Sequence, residues 1–136
     1  MPFVRIDLPA ATPADDIAAV SQSVHQAMVD VIQIPPDDRF QVIGRRAPGE
    51  LVCTPRYLGI EHSDRVVFVQ ITLSPGRAVG LKEALFERIA RDVARSTSFA
   101  AADVIVNLVE SALENWSFGN GVAQYAVLDR SRPAAS

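Results

Sequence analysis

The strongest constraint on the fold is a repeated order of elements, with the second half of the chain echoing the first at an offset of about 63 residues. In the first half, Phe3 to Leu8 alternates apolar and polar residues, the period of a half-buried strand. A helix is expected next. Thr12 is placed as its N-cap, Pro13 suits its first position, and Asp15 and Asp16 fall where the positive end of the helix dipole favours acids. Ile17, Val20, Val24, Met28 and Val31 recur at steps of three and four, which carries the helix to about Ile32 as one apolar stripe. Pro35 and Pro36 end it, and Phe40 to Gly44 reads as a second strand.

The second half runs through the same order. Val66 to Leu73 is a strand, Ser74 to Arg77 a turn, and Val79 to Ala94 a helix with Leu85, Ile89 and Val93 on one face. Val104 to Val109 is the closing strand. Each half is therefore β-α-β, and right-handed crossovers lay its two strands parallel. The predicted fold is α/β, a four-stranded, mostly parallel sheet with two helices on one face. Residues 1–129 form one domain with halves at about 1–63 and 64–129, followed by a flexible tail at 130–136, on the compositional grounds that mark chain ends. Between the halves, Gly44 to His62 contains Pro48, Gly49 and Pro55 and is expected to hold a hairpin or a long loop.

Composition narrows the chemistry. With 136 residues, 49% of them hydrophobic, the chain is sized to bury one core. A net charge of −3 argues against the basic surface that phosphate binding requires, so nucleic acid is not an expected partner. The single cysteine, Cys53, excludes an internal disulfide, and two histidines, His25 and His62, cannot assemble a clustered zinc set. Neither metal nor cofactor is expected. No apolar run approaches the roughly 20 residues that span a bilayer, and the N-terminus lacks a signal-like block, so the expected location is cytoplasmic and off the membrane. Two helices cover only one face of such a sheet, whereas the strands at 66–73 and 104–109 read as apolar on both. This predicts a homo-oligomer whose partner covers the second face.

Several segments carry a family resemblance. Pro2 directly after the initiator Met, the run from Ile34 to Ile43 (IPPDDRFQVI), the turn Ser74 to Arg77 before LKEALFERIA, and VIVNLVE followed by ENWSFGNGVAQY together resemble the 4-oxalocrotonate tautomerase superfamily. Within it they are most similar to the long-chain branch that includes malonate semialdehyde decarboxylase. The resemblance covers Pro2 to about Tyr125. Its most specific pieces are residues 35–41 and 115–119. It implies a homotrimer whose catalytic group is the amine of an N-terminal proline acting on a small carboxylate substrate.

Elementary chemistry gives each matched residue a role to test. Pro2 becomes a secondary amine once Met1 is removed. Burial and nearby cations disfavour its charged form and poise it as a general base, whereas a protonated amine would serve as an acid that polarises a carbonyl. Arg77, at a strand-to-helix turn, suits a carboxylate, and the resemblance implies that clamp; some relatives carry two arginines at this turn, and this chain keeps one. Asp38 matches the aspartate thought to orient water or substrate in the decarboxylase-like motif, with Arg39 as its expected structural partner. Trp116 and Phe118 share a face if their segment is extended, and by resemblance wall the pocket. His25 and Cys53 receive no role. The leading reading is keto-enol proton transfer on a 2-oxo acid or enol. Decarboxylation or hydration of a 3-oxo acid, and a trimeric domain without chemistry, remain alternatives.

Overall fold

The computed structural model describes residues 1–131. Strands β1 (Phe3–Pro9), β2 (Phe40–Arg46), β5 (Val67–Leu73) and β6 (Val104–Glu110) form one sheet in the order β2-β1-β5-β6, and helices α1 (Ala14–Ile32) and α2 (Val79–Ser96) provide the crossovers. β5 and β6 begin 64 residues after β1 and β2, so the two halves correspond strand for strand. Within each half the strands are parallel; β1 and β5 join the halves antiparallel. A small hairpin of β3 (Arg56–Tyr57) and β4 (Ile60–Glu61) occupies the expected irregular stretch. Its turn residues Leu58 and Gly59 both have positive φ, at 51° and 79°, which suits the twist of a two-residue hairpin. A third helix, α3 (Gln124–Ser131), closes the described chain. The tail expected from Arg130 thus begins inside α3, and residues 132–136 lie outside the described residues.

The core is the layer between the sheet and the helix pair. Val4, Ile6 and Leu8 of β1 and Val67, Val69, Ile71 and Leu73 of β5 meet Val20, Val24 and Met28 of α1 and Leu85, Ile89 and Val93 of α2, all buried. The alternation read in β1 and the stripes read in both helices therefore face this layer. α1 ends where Gln33 adopts the left-handed conformation (φ 57°), so that its N–H and that of Ile34 return to the Met28 carbonyl while Ile34 tucks into the core. The start of α1 corrects the expected cap. Pro13 is the N-cap residue without a side-chain bond, and the Thr12 hydroxyl instead donates to the Pro9 carbonyl at 2.6 Å, closing the turn out of β1. Asp103, buried at the start of β6, accepts bonds from the backbone and hydroxyl of Ser63, tying the link between the halves to the sheet.

The second face of the sheet is mixed, not apolar throughout. Phe3, Phe68 and Ile105 share it with Arg5, Asp7, Gln70 and Asn107; the Gln70 amide donates to Asn107, and Arg46 pairs with Asp7 at 2.7 Å. The reading of β5 as apolar on both sides missed Gln70, whose neighbour across the ladder is Asn107. A side chain at Gly44 would press on the Asp7 carboxylate and the Arg46 guanidinium, so glycine leaves room for this pair. No helix among the described residues is long and apolar enough to cross a membrane.

Leu85 is fully buried between α2 and the sheet. Truncating it removes apolar contact and leaves a cavity, so Leu85→Ala is expected to lower unfolding free energy by about 2–5 kcal/mol, read from urea denaturation midpoints at unchanged slope.

Candidate active site

The register gathers distant segments at one end of the sheet. Phe3 lies opposite Phe40 on one side and Thr72 on the other, and Leu73 lies opposite Glu110. The start of β1, the approach to β2, the turn after β5 and the chain leaving β6 therefore meet at a single edge. Pro2, Asp38, Arg77, Trp116 and Phe118 all belong to these segments.

Pro2 is buried, and its nitrogen is an amide to Met1. The free amine belongs to Met1 and lies 2.7 Å from Asp38 Oδ2, with the two side chains only 10% and 17% exposed. The carboxylate is thus aimed at the chain's N-terminus from a largely desolvated position, where a charge pair is weakly screened. Asp38 sits in the turn closed by its own N–H donating to the Pro35 carbonyl. Arg39 is not its partner: the guanidinium turns to α1 and donates to Gln22 at 2.9 Å and Ser21 at 2.8 Å. The physical reason is spacing, since adjacent residues leaving a turn project to different sides.

An aromatic wall stands at the same edge. Trp116 and Phe118 stack with centroids 5.5 Å apart and planes within 4°, their backbone leaving a short 3-10 turn (Leu113–Asn115) in an extended conformation. Phe40 joins Phe118 at 5.4 Å and Tyr125 meets it edge-on at 5.6 Å. The Gln124 carboxamide holds this arrangement by accepting from the Phe118 N–H and donating to the Gly119 carbonyl. The Trp116 indole Nε1 is buried and finds no hydrogen-bond partner among the described residues. Burial, reinforced by the negative charge of Asp38, pushes the Tyr125 phenol above its ordinary range. Phe40 and Tyr125 were missed as site residues because their contacts to Phe118 are made in space and not by a local pattern; the one signal was that Phe40 lies in the matched run 34–43 and Tyr125 in the matched run 114–125.

Arg77 lies at this edge but makes no hydrogen bond or ion pair with Asp38. Its Nη1 donates to the Ser74 carbonyl at 3.0 Å, folding the side chain onto its own turn. Glu110 faces the turn: the Lys82 ammonium bonds it at 2.9 Å and holds it below the usual carboxylate range, with the Gly76 N–H and the Arg77 charge adding to the effect. A separate cleft of about 640 Å³, lined by Arg46, Cys53, His62 and Arg65 among others, opens at the opposite end of the sheet and includes none of the predicted site residues. Among the described residues, no group of three or more His, Cys, Asp or Glu side chains is placed to hold a metal ion.

Comparison with known proteins identifies the family and the fold. Two family models, both described as tautomerase enzyme, match residues 38–119 and 2–61. The chain is 36% identical over 124 residues to the Bacillus subtilis protein named Probable tautomerase YusQ, covering 91% of this chain and 98% of that one. The crystal structure of a malonate semialdehyde decarboxylase inhibited by 3-bromopropiolate superposes with a TM-score of 0.86 at 32% identity, covering 96% and 99% of the two chains. A fused 4-OT symmetric trimer shares the fold at a TM-score of 0.74 and 20% identity, covering 92% and 98%. The chain belongs to the tautomerase family, as a long-chain member of the 4-oxalocrotonate tautomerase superfamily.

The position of Tyr125 can be checked directly. In a Tyr57→Phe background, the remaining phenolate absorbance is expected to appear only above the ordinary tyrosine range. Asp38→Asn should return the midpoint part of the way, because burial is the larger cause and stays in place.

Proposed function

We propose that the protein is an enzyme that moves a proton between carbon and oxygen of a small 2-oxo acid or its enol, with the amine of Pro2 as the acid-base group. The observation that carries this reading is the Asp38 carboxylate 2.7 Å from the N-terminal amine, beside an aromatic wall. Removal of Met1 moves the amine one residue inward, to the buried Pro2 at the start of β1. As a free secondary amine the Pro2 nitrogen has a lone pair with which to accept a proton, and the ammonium it becomes on doing so is stabilised by the Asp38 carboxylate. The Pro2 nitrogen takes the enol hydroxyl proton as the C=O forms, and the resulting ammonium returns a proton to the adjacent carbon, so that the enol becomes the ketone with no net change in composition. Asp38 orients the amine, Arg77 swings from Ser74 to hold the substrate carboxylate, and Trp116 and Phe118 keep water out.

A second reading is favoured by the 32% identity to a malonate semialdehyde decarboxylase over nearly the whole of both chains. In it Pro2 remains protonated, polarises the carbonyl of a 3-oxo acid, and Asp38 orients substrate or water as carbon dioxide leaves. In either reading the mixed second face of the sheet, with Phe3, Phe68 and Ile105 unsheltered by a helix, is taken as the contact between copies in a homotrimer.

Intact mass is expected to show a chain lacking Met1 in active protein; active protein that keeps Met1 throughout would end the proline mechanism. Ketonisation of phenylenolpyruvate, followed by absorbance, should fall by about 10²–10⁴-fold in Pro2→Ala. Arg77→Ala should raise KM for a carboxylate substrate more than it lowers kcat, as expected for a group that binds ground state and transition state alike. Carbon dioxide release from malonate semialdehyde that disappears in Asp38→Asn would move the assignment to the second reading.

A further inference from the structure

One buried imidazole takes no part in the chemistry above. His25, in the middle of α1, is 4% exposed, and its Nε2 lies 2.7 Å from the Pro36 carbonyl. A carbonyl only accepts, so Nε2 carries a proton and donates, and the second ring nitrogen, Nδ1, is the one left over. Nδ1 is buried and meets no partner among the described residues. For core packing alone this is a poor choice, because a buried polar atom without a partner destabilises, whereas a leucine would fill space without that cost.

The other end of the bond gives the residue a purpose. Pro36 lies two residues before Asp38, in a segment held by few backbone bonds. Pro35 and Pro36 have no N–H to donate, and the backbone bonds of the stretch are those from Gln33 and Ile34 to Met28 and from Asp38 to Pro35. Side chains of α1 make up the deficit. His25 grips the segment before Asp38, and one turn earlier on the same helix Ser21 and Gln22 accept Arg39 just after it. Asp38 is suspended between these two ties and aimed at the N-terminal amine.

We propose that His25 is a positioning residue that sets the Asp38 carboxylate at its working distance from the amine. The proposal rests on the role given to Asp38 under the proposed function, and misplacing a group of that kind by about 1 Å is enough to cost on the order of 10²-fold in rate.

The test compares His25→Phe, which keeps a ring but removes the donor, with His25→Gln, whose amide N–H can reach the same carbonyl. Hydrogen exchange comes first because it needs no activity. His25→Phe is expected to speed exchange of the Asp38 amide by about 10-fold while the core amides of β5 keep their rates, and His25→Gln is expected to restore protection. Equal acceleration of Asp38 and β5 amides would mean that His25 serves only global stability, and the proposal would be wrong. Kinetics follow. In phenylenolpyruvate ketonisation, His25→Phe should lower kcat by about 10-fold with a smaller change in KM, His25→Gln should recover most of the loss, and His25→Phe should add no further loss once Asp38 is Asn. Independent, multiplying losses would overturn the proposal. An Asp38→Asn enzyme as fast as wild type would remove Asp38 from the chemistry and His25 with it, whereas additivity with a slow Asp38→Asn enzyme would leave the proline reading intact and reject His25 alone.

Discussion

The antiparallel pairing of β1 with β5 is the constraint on which the rest depends. Each β-α-β half could form a parallel pair by itself, but two parallel strands under one helix leave most of their apolar surface in water. Joining the halves through β1 and β5 makes one sheet, buries Val4, Ile6, Leu8, Val69 and Ile71 under both helices, and sets the start of β1 beside the end of β5. Had the join been parallel, as in a doubly wound sheet, Pro2 and the Arg77 turn would lie at opposite ends of the sheet.

That join also explains where charge can be used. The chain terminus, which in most proteins is solvated, is here drawn over the edge of a packed layer and met by Asp38 on one side and by the stack of Trp116 and Phe118 at the same edge. Burial is common to these groups. The amine and the carboxylate lie 2.7 Å apart, burial together with the Asp38 charge pushes the Tyr125 phenol up, and the indole N–H of Trp116 is without a partner among the described residues. The opposite end of the sheet has a cleft but lacks this convergence, and Arg46, Arg65 and His62 there are already committed to Asp7, Ser98 and the Thr54 carbonyl.

Much of this was legible in the residues. The period-two alternation of Phe3 to Leu8, the stripe from Ile17 to Val31 and the proline pair at 35–36 mark their elements within a residue or two, since each is a local pattern with a local cause. The misreadings share a different cause. Thr12 has the chemistry of a cap, yet the geometry of the turn out of β1 gave its hydroxyl a nearer acceptor in Pro9. Arg39 neighbours Asp38 in sequence, yet the nearest acceptors in space belong to α1. His25 was set aside because a lone helical histidine carries no local signal; only packing of the 33–39 segment against α1 gives it a partner.

By itself, then, the sequence determined the elements, their doubling, the family, and which residue types were available for chemistry, because periodicity, turn residues and short motifs are properties of neighbouring positions. Only the tertiary structure decided which of those residues meet. The Asp38 carboxylate against the N-terminal amine, Phe40 and Tyr125 against Phe118, Arg77 folded onto Ser74, and His25 on the Pro36 carbonyl depend on strand register and helix docking. These are set by burial of the whole core and by the antiparallel join, terms that no window of neighbouring residues contains.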